Sequence, residues 1–243
     1  MPYGTRVFVL GSLLGCHCWM GCSATERGFV NLLDGPGPVG AHLKVFAGSE
    51  DSWRVRPDGV LACTGGPGGW IGTIADDYGD FDLKLEFNVP KDGNSGVFIR
   101  RPKEGDGAYT GMEIQIIDDD TTRFGKLQPW QHCGSIYHEV APSTRATRQA
   151  GTWQSMEILA AGPRVKVFIN GVNVVDADLD AFTTTTARNA APLKDRPRKG
   201  HIGFQNYGLG IEYRNVRVRR LDTPPTGSAI VRQAARHRKE SAS

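Results

Sequence analysis

Residues 81–89 constrain the fold more than any other part of the sequence. Apolar and polar side chains alternate along this run, with the apolar ones at Phe81, Leu83, Leu85, Phe87 and Val89. Because successive side chains of a β-strand point to opposite faces, the alternation predicts a strand with one buried face. A chain with such a strand is expected to build a sheet against an apolar core.

Similar short strands are predicted at 95–100, 111–117, 155–160, 165–169, 172–175, 200–206 and 211–221. Turns separate them, and the sequence contains 31 glycines and 14 prolines. Asn170-Gly171 predicts a hairpin, because both central residues of a type I′ turn need positive φ. No long amphipathic helical period occurs before residue 222, and 138–152 and 176–199 are predicted to be loops with at most short helical turns. This pattern is typical of an all-β sandwich or barrel.

The 243 residues are predicted to form three parts: a signal segment at 1–28, one β-sandwich domain at 29–222 and a basic tail at 223–243. Arg6 precedes the apolar run 7–14, which is typical of a secretory signal and too short to span a bilayer. LLGC, ending at Cys16, is similar to a bacterial lipoprotein signal, and MGC, ending at Cys22, is a second candidate. We therefore expect an exported protein of the periplasm or cell envelope, either free or held by a lipid anchor. The alternative is an N-terminal segment without a targeting role.

The charge balance does not indicate a nucleic-acid partner. Lys and Arg number 29 against 26 Asp and Glu, so the net charge is only +3. The basic residues near the C-terminus predict a solvated, disordered tail, with a basic contact surface as the alternative.

Two cysteines, Cys63 and Cys133, lie in the predicted domain. They can form one disulfide in an oxidising compartment or remain two buried thiols, and both interpretations are open. Their spacing matches no metal site. The run 118–120 of three aspartates offers oxygen ligands to Ca²⁺, but a solvated acidic turn is the favoured interpretation. No metal or cofactor is therefore expected.

The 111–117 strand places candidate functional side chains. Met112, Ile114 and Ile116 share the face expected to pack in the core, which leaves Glu113 and Gln115 facing solvent or a ligand. On the 95–100 strand, Phe98 and Arg100 are expected to share the outward face. There Arg100 would offer a planar donor fork to sugar hydroxyls or a carboxylate near Glu113. An ordinary exposed sheet face and a structural ion pair are the alternatives.

Other candidates line the same predicted surface. His201 and Gln205 share one face of their strand, and Gly203 between them leaves space for a ligand. Asn94 precedes a strand, and aromatic side chains suit the apolar faces of sugar rings. Each aromatic candidate can equally be packing: Trp70, Trp130 and Tyr137.

Eight segments in order resemble the 3-keto-disaccharide hydrolase domain family, a concanavalin-like jelly-roll. FVNLLDG at 29–35 is similar to the family pattern F..LFDG, YGDFDLKLEF at 78–87 to Y.DF.L..EF, and NSGVFIR at 94–100 to NSG.F.R. GMEIQI at 111–116 is similar to GYE.QI, with Met112 in place of the usual tyrosine. The remaining similar segments are 53–61, 134–137, 200–206 and 213–218. The resemblance implies an all-β fold, a jelly-roll sandwich of two antiparallel sheets.

The resemblance also implies cleavage of glycosides oxidised at C3. A C3 ketone acidifies the C2 proton, so a base can remove it, the C1 substituent leaves and water adds. This chemistry does not need the paired carboxylates of ordinary glycosidases. Glu113 is the expected acid/base and Arg100 the expected oxyanion partner, and the residues expected to bind the substrate are Asn94, Gln115, Tyr137, His201 and Gln205.

Two non-enzymatic functions remain open for this sequence. The same fold serves lectins, so a non-catalytic carbohydrate-binding module is the alternative to the enzyme. A structural or adhesive surface domain of an exported assembly is the third. In the first two cases the partner is a carbohydrate.

Overall fold

The computed structural model describes residues 27–208 and 210–221. The predicted cleavage and lipidation sites, and the basic tail at 223–243, lie outside the described residues. Nearly all regular structure within them is β, as the alternating sequence predicts.

The strands, in chain order, are β1 Val30–Asn31, β2 Leu43–Ala47, β3 Trp53–Val55, β4 Leu61–Cys63, β5 Gly69–Thr73, β6 Phe81–Asn88, β7 Asn94–Arg101, β8 Met112–Ile117, β9 Gln154–Ala161, β10 Arg164–Ile169, β11 Val172–Asp178, β12 His201–Asn206 and β13 Ile211–Arg220. One short α-helix, α1, spans Gly107–Thr110. Short 3-10 turns occupy Glu50–Ser52, Pro129–Gln131, Leu179–Ala181 and Leu193–Asp195.

The strands form two antiparallel sheets. An eight-stranded sheet has the order β11-β10-β9-β6-β13-β4-β3, with β1 also paired to β13. A five-stranded sheet has the order β2-β5-β12-β7-β8. The two sheets enclose one apolar core, and this architecture confirms the predicted concanavalin-like jelly-roll sandwich.

The core follows from the alternation read in the sequence. The five apolar positions of residues 81–89 are all buried in it. Met112, Ile114 and Ile116 of the five-stranded sheet pack into the same cluster from the other side. Glu113 and Gln115 therefore project from the outer face of that sheet, as predicted.

The predicted hairpin is present between β10 and β11. Asn170 has φ 49° and Gly171 has φ 80°, which are the positive values that a type I′ turn requires. Residues 138–152 contain no named strand or helix, but β11 extends to Asp178 and two 3-10 turns lie between 176 and 199. The strands β1 to β5 are short and were not predicted individually.

Cys63 and Cys133 are both free and buried, so the structure contains the two thiols rather than the disulfide. Burial raises the pKa of each thiol above its ordinary value. Among the described residues, no helix has the length and apolar character needed to cross a membrane.

Candidate functional site

A cleft of about 220 Å³ opens on the outer face of the five-stranded sheet. Its floor is built from β7, β8 and the end of β12, and its wall from α1 and the loop around Tyr137. The lining residues are Asn94, Asp106, Ala108, Tyr109, Glu113, Gln115, Tyr137, Gln205 and Tyr207. Carboxylates, amides and phenols therefore surround a small concave space.

Glu113 lies in the middle of strand β8. It pairs with Phe98 of β7 on one side, and on the other its backbone carbonyl accepts a hydrogen bond of 2.9 Å from the Tyr137 amide. Backbone pairing on both sides therefore fixes where this side chain leaves the sheet.

Gly96 makes room for the carboxyl group of Glu113. A Cβ atom at position 96 would stand 1.9 Å from Oε1 of Glu113 and 2.6 Å from its Cδ. The Glu113 side chain therefore lies across the backbone of β7. Position 96, in the NSG segment, therefore requires glycine, because the Glu113 carboxyl group lies too close to the backbone there for a Cβ atom.

The Glu113 side chain is nearly enclosed, and its carboxyl group opens onto the cleft. Its residue is only 3% exposed, and it has neither a side-chain hydrogen bond nor an ion pair within 4 Å among the described residues. Burial, together with the nearby charge of Asp106, raises the pKa of Glu113 to about 8, while Arg101 opposes the shift. This group can therefore exchange a proton near neutral pH.

The structure does not place Arg100 beside Glu113, which corrects the expectation from strand alternation. The register of β12 against β7 shifts between His201, which pairs with Arg101, and Gly203, which pairs with Phe98. One residue of β12, Ile202, thus opposes two of β7, Ile99 and Arg100, and Arg100 takes φ 49° in the resulting bulge.

The bulge turns Arg100 away from the cleft. Its Nε donates to the Gly79 carbonyl at 2.9 Å, and Nη2 lies 3.3 Å from Asp80 Oδ1. Arg100 therefore forms a structural ion pair, which was the alternative interpretation of this residue.

Arg101, and not Arg100, lies on the outer face of the sheet with Phe98. Its guanidinium lies 3.9 Å from the Trp70 ring centroid and 4.6 Å from that of Phe98, and Nη2 donates to the Gly105 carbonyl at 3.0 Å. Arg101 is 5% exposed and does not line the cleft. Burial lowers its pKa to about 10, so it is still a cation and favours the ionised form of Glu113.

A buried arginine holds the wall of the cleft in place. Arg196 donates through Nη1 to the carbonyls of Ala108 and Gly111, at 2.9 and 3.1 Å, and pairs with Glu139 through Nη2. The side chain of Asp106 caps α1 by accepting a hydrogen bond from the Ala108 amide. These contacts fix both ends of the segment that carries Tyr109.

Two tyrosines face the carboxyl group as neutral donors. Burial raises the pKa of Tyr137 to about 12, and burial also raises the pKa of Tyr109. Trp130 packs edge-on against Tyr137 with ring centroids 5.1 Å apart, so this tryptophan supports the wall. Both phenols stay protonated near neutral pH.

His201 and Trp70 lie beside the cleft and do not line it. His201 and Gln205 share a face as predicted, but the ring of Trp70 fills the space above Gly203. The His201 Nδ1 donates to the Thr73 carbonyl at 2.8 Å, so this nitrogen carries a proton. The expectation that His201 lines the pocket is corrected accordingly.

The structure brings together five of the residues singled out from the sequence, namely Asn94, Glu113, Gln115, Tyr137 and Gln205. Sequence reasoning missed Asp106, Tyr109 and Tyr207 in the cleft and Arg101 behind it. Of these residues, only Arg101 could have been suspected from the sequence, because it follows Arg100 directly. One extra residue in a strand reverses which of two neighbouring side chains faces outward.

The aspartates at 118–120 serve as hydrogen-bond acceptors. Asp119 accepts from the Cys133 amide at 3.0 Å and from the Thr147 hydroxyl at 2.7 Å. Asp118 accepts from the amides of Asp92 and Asp120. In the part of the chain that the structure describes, no three His, Cys, Asp or Glu residues are grouped so as to hold a metal ion.

A family model for the 3-keto-alpha-glucoside-1,2-lyase-like domain matches residues 28–219. The chain belongs to this family. The predicted resemblance is thereby confirmed, and the match covers both sheets and the whole cleft.

Individual relatives of this 3-keto-alpha-glucoside-1,2-lyase-like chain are distant. A 3-keto-disaccharide hydrolase of Bacteroides thetaiotaomicron is 23% identical over 205 residues, which is 70% of each protein. Two crystal structures of Parabacteroides distasonis proteins, described provisionally as glycosyl hydrolases, have the same fold. The first is 27% identical with a TM-score of 0.69, covering 79% of this chain and 99% of its own. The second is 26% identical with a TM-score of 0.66, covering 80% and 95%.

Proposed function

We propose that this protein cleaves the glycosidic bond of 3-keto-disaccharides or related 3-keto-glycosides. Family membership and the name of the Bacteroides relative support the substrate class. The observation that carries the proposal is Glu113, a nearly enclosed residue whose carboxyl group opens onto the floor of a polar cleft. Its pKa of about 8 suits a group that moves protons at neutral pH.

The reaction begins at C2 of the oxidised sugar. The C3 ketone acidifies the C2 proton, a base removes this proton, and the electron pair forms an enolate with the C3 oxygen. When the enolate collapses, the C1–O bond breaks and the leaving oxygen takes up a proton. Addition of water across the new C1–C2 double bond completes net hydrolysis. This route requires one base, one acid and donors to the enolate oxygen.

Glu113 is the proposed base. A carboxylate with a raised pKa is a stronger base than an ordinary one, which favours removal of a weakly acidic C–H proton. Arg101 lies behind Glu113 and keeps part of the carboxyl population ionised. It acts on Glu113 and has no proposed contact with the substrate.

The phenols of Tyr109 and Tyr137 are the proposed donors. Both line the cleft and stay protonated, so they can donate to the enolate oxygen or to the leaving oxygen. Asn94, Gln115 and Gln205 supply amide groups for the sugar hydroxyls.

A carbohydrate-binding module is the competing function. In a binding site the carboxyl group of Glu113 would accept hydrogen bonds from sugar hydroxyls. An active site can use the same group to transfer a proton. The raised pKa of Glu113 therefore favours the enzyme, because the group can gain and lose a proton near neutral pH.

The experiment is release of reducing sugar from a 3-keto-glucoside by the wild type, Glu113→Gln and Glu86→Gln, between pH 5 and 9.5. We expect kcat/KM of the wild type to rise with pH to a plateau above about pH 8, because the base must be ionised. Glu113→Gln is expected to lose roughly a thousandfold in kcat. Glu86→Gln, the same substitution on the other sheet, should match the wild type.

Two results would change the proposal. A kcat/KM that falls above pH 8 would assign Glu113 the role of acid. If the wild type binds several 3-keto-glycosides without cleaving any, the function is that of a binding module.

A further inference from the structure

The cleft extends well beyond the carboxyl group of Glu113 at its floor. Glu113 is level with Phe98 of β7, and Asn94 begins the same strand four residues away. At a rise of roughly 3.3 Å per residue, Asn94 lies about 13 Å along the strand from the level of Glu113. Both residues nevertheless line one continuous cleft.

Tyr207 stands at the distant end of this cleft. Phe204 of β12 pairs with Val97 of β7, so continuing the antiparallel register by three residues places Tyr207 level with Asn94. Tyr207 is 49% exposed and lines the cleft, and its ring contacts Phe124 edge-on with centroids 6.1 Å apart. An open aromatic face thus lies at the mouth.

The same end of the cleft carries amide groups. Gln115 Nε2 donates to Asn94 Oδ1 at 3.3 Å, and Gln205 lies on the neighbouring strand. An aromatic face next to amide donors and acceptors fits a sugar ring, which has apolar C–H faces and a rim of hydroxyls.

Beyond the opposite end of the cleft, buried side chains occupy the outer face of the sheet. Arg101 and Trp70 are buried there, and α1 covers the sheet. A ring whose C2 meets Glu113 can therefore extend its C1 substituent along the cleft towards Tyr207.

The geometry points to a second sugar subsite formed by Tyr207 and Asn94, which holds the leaving unit of a disaccharide. This inference rests on the proposed function, because it assigns the oxidised ring to the Glu113 end. It makes Tyr207 a residue that selects disaccharides over glycosides with small leaving groups.

The test compares methyl 3-keto-glucoside with a 3-keto-disaccharide of two glucose units. We expect Tyr207→Ala to raise KM for the disaccharide about tenfold, the loss typical of one aromatic contact, and to leave KM for the methyl glycoside unchanged. Tyr207→Phe keeps the ring and should match the wild type. Ile74→Ala, an exposed apolar side chain outside the cleft, serves as the control.

Binding is measured in parallel, so that the subsite and the activity are tested separately. Calorimetry uses the Glu113→Gln background, with and without Tyr207→Ala, and the same two sugars. A tenfold weaker affinity for the disaccharide alone supports the subsite, even if the wild type cleaves neither sugar and the proposed function fails. Equal effects on both sugars, no effect on either, or no binding of either would overturn the subsite.

Discussion

The outer faces of the two sheets carry carboxylates in different ways. On the eight-stranded sheet, Glu86 accepts from Arg214 at 2.7 Å and from Asn215 at 2.6 Å, in a partly exposed position. On the five-stranded sheet, Glu113 is buried beneath α1 and the Tyr137 loop without a hydrogen-bond partner among the described residues. Sequence alternation is the same on both sheets, so the loops that cover one of them make the difference.

The difference separates a solvated ion pair from a largely desolvated carboxyl group. A solvated ion pair contributes little to stability and its removal is tolerated. A carboxyl group in a largely desolvated cleft lowers stability when it is ionised, and groups with such raised pKa values are common where protons are transferred, the role proposed for Glu113. Three measurements can break or sharpen this comparison.

The largest effect is expected in the pH dependence of stability. Between pH 4.5 and about 8 the native Glu113 is protonated, while the unfolded side chain is ionised. The native state therefore holds one more proton, and its free energy of unfolding falls by about 1.4 kcal/mol per pH unit in this window. Glu113→Gln removes this slope, so urea unfolding should show the variant gaining several kcal/mol on the wild type from pH 5 to pH 8.

Glu86→Gln is the matched control for that measurement. The difference in free energy of unfolding between Glu86→Gln and the wild type should show no comparable dependence on pH between pH 5 and 8. Parallel curves for Glu113→Gln and the wild type would mean that Glu113 is ionised in the native protein at low pH, which would contradict the proposed burial.

A second large effect is expected from Gly96→Ala. The added Cβ would stand 1.9 Å from Glu113 Oε1, so the flexible glutamate side chain must rotate away. A displacement of this size is expected to lower kcat/KM about a hundredfold, whereas overpacking costs about 1–3 kcal/mol of stability. Kinetics on a 3-keto-glucoside and urea unfolding measure the two separately; unchanged kinetics would show that this position of Glu113 is not needed.

The smallest effect is expected from Glu86→Gln itself. Loss of a partly exposed ion pair with Arg214 should cost roughly 0.2–1 kcal/mol in urea unfolding at pH 7 and leave activity unchanged. A loss of several kcal/mol would show that the outer face of the eight-stranded sheet is not a simple solvated surface.

Much of the fold could be predicted because it depends on local patterns. The alternation in residues 81–89 set the buried face of β6, and the Asn170-Gly171 pair set the β10–β11 hairpin. The strands β1 to β5 were not predicted, because runs such as Gly69–Thr73 are short and rich in glycine. Such runs become strands through pairing with distant neighbours.

The candidate site could be predicted only in part, for the same reason. The sequence by itself determined that Glu113 and Gln115 face away from the core, because alternation along a strand is a local property. Only the tertiary structure decided that Arg101 lies behind Glu113 and that Arg100 does not, since the bulge arises from pairing between β7 and β12, about a hundred residues apart in sequence. It also decided that α1, held by Arg196, lies over the sheet, and this covering gives Glu113 its burial and its raised pKa.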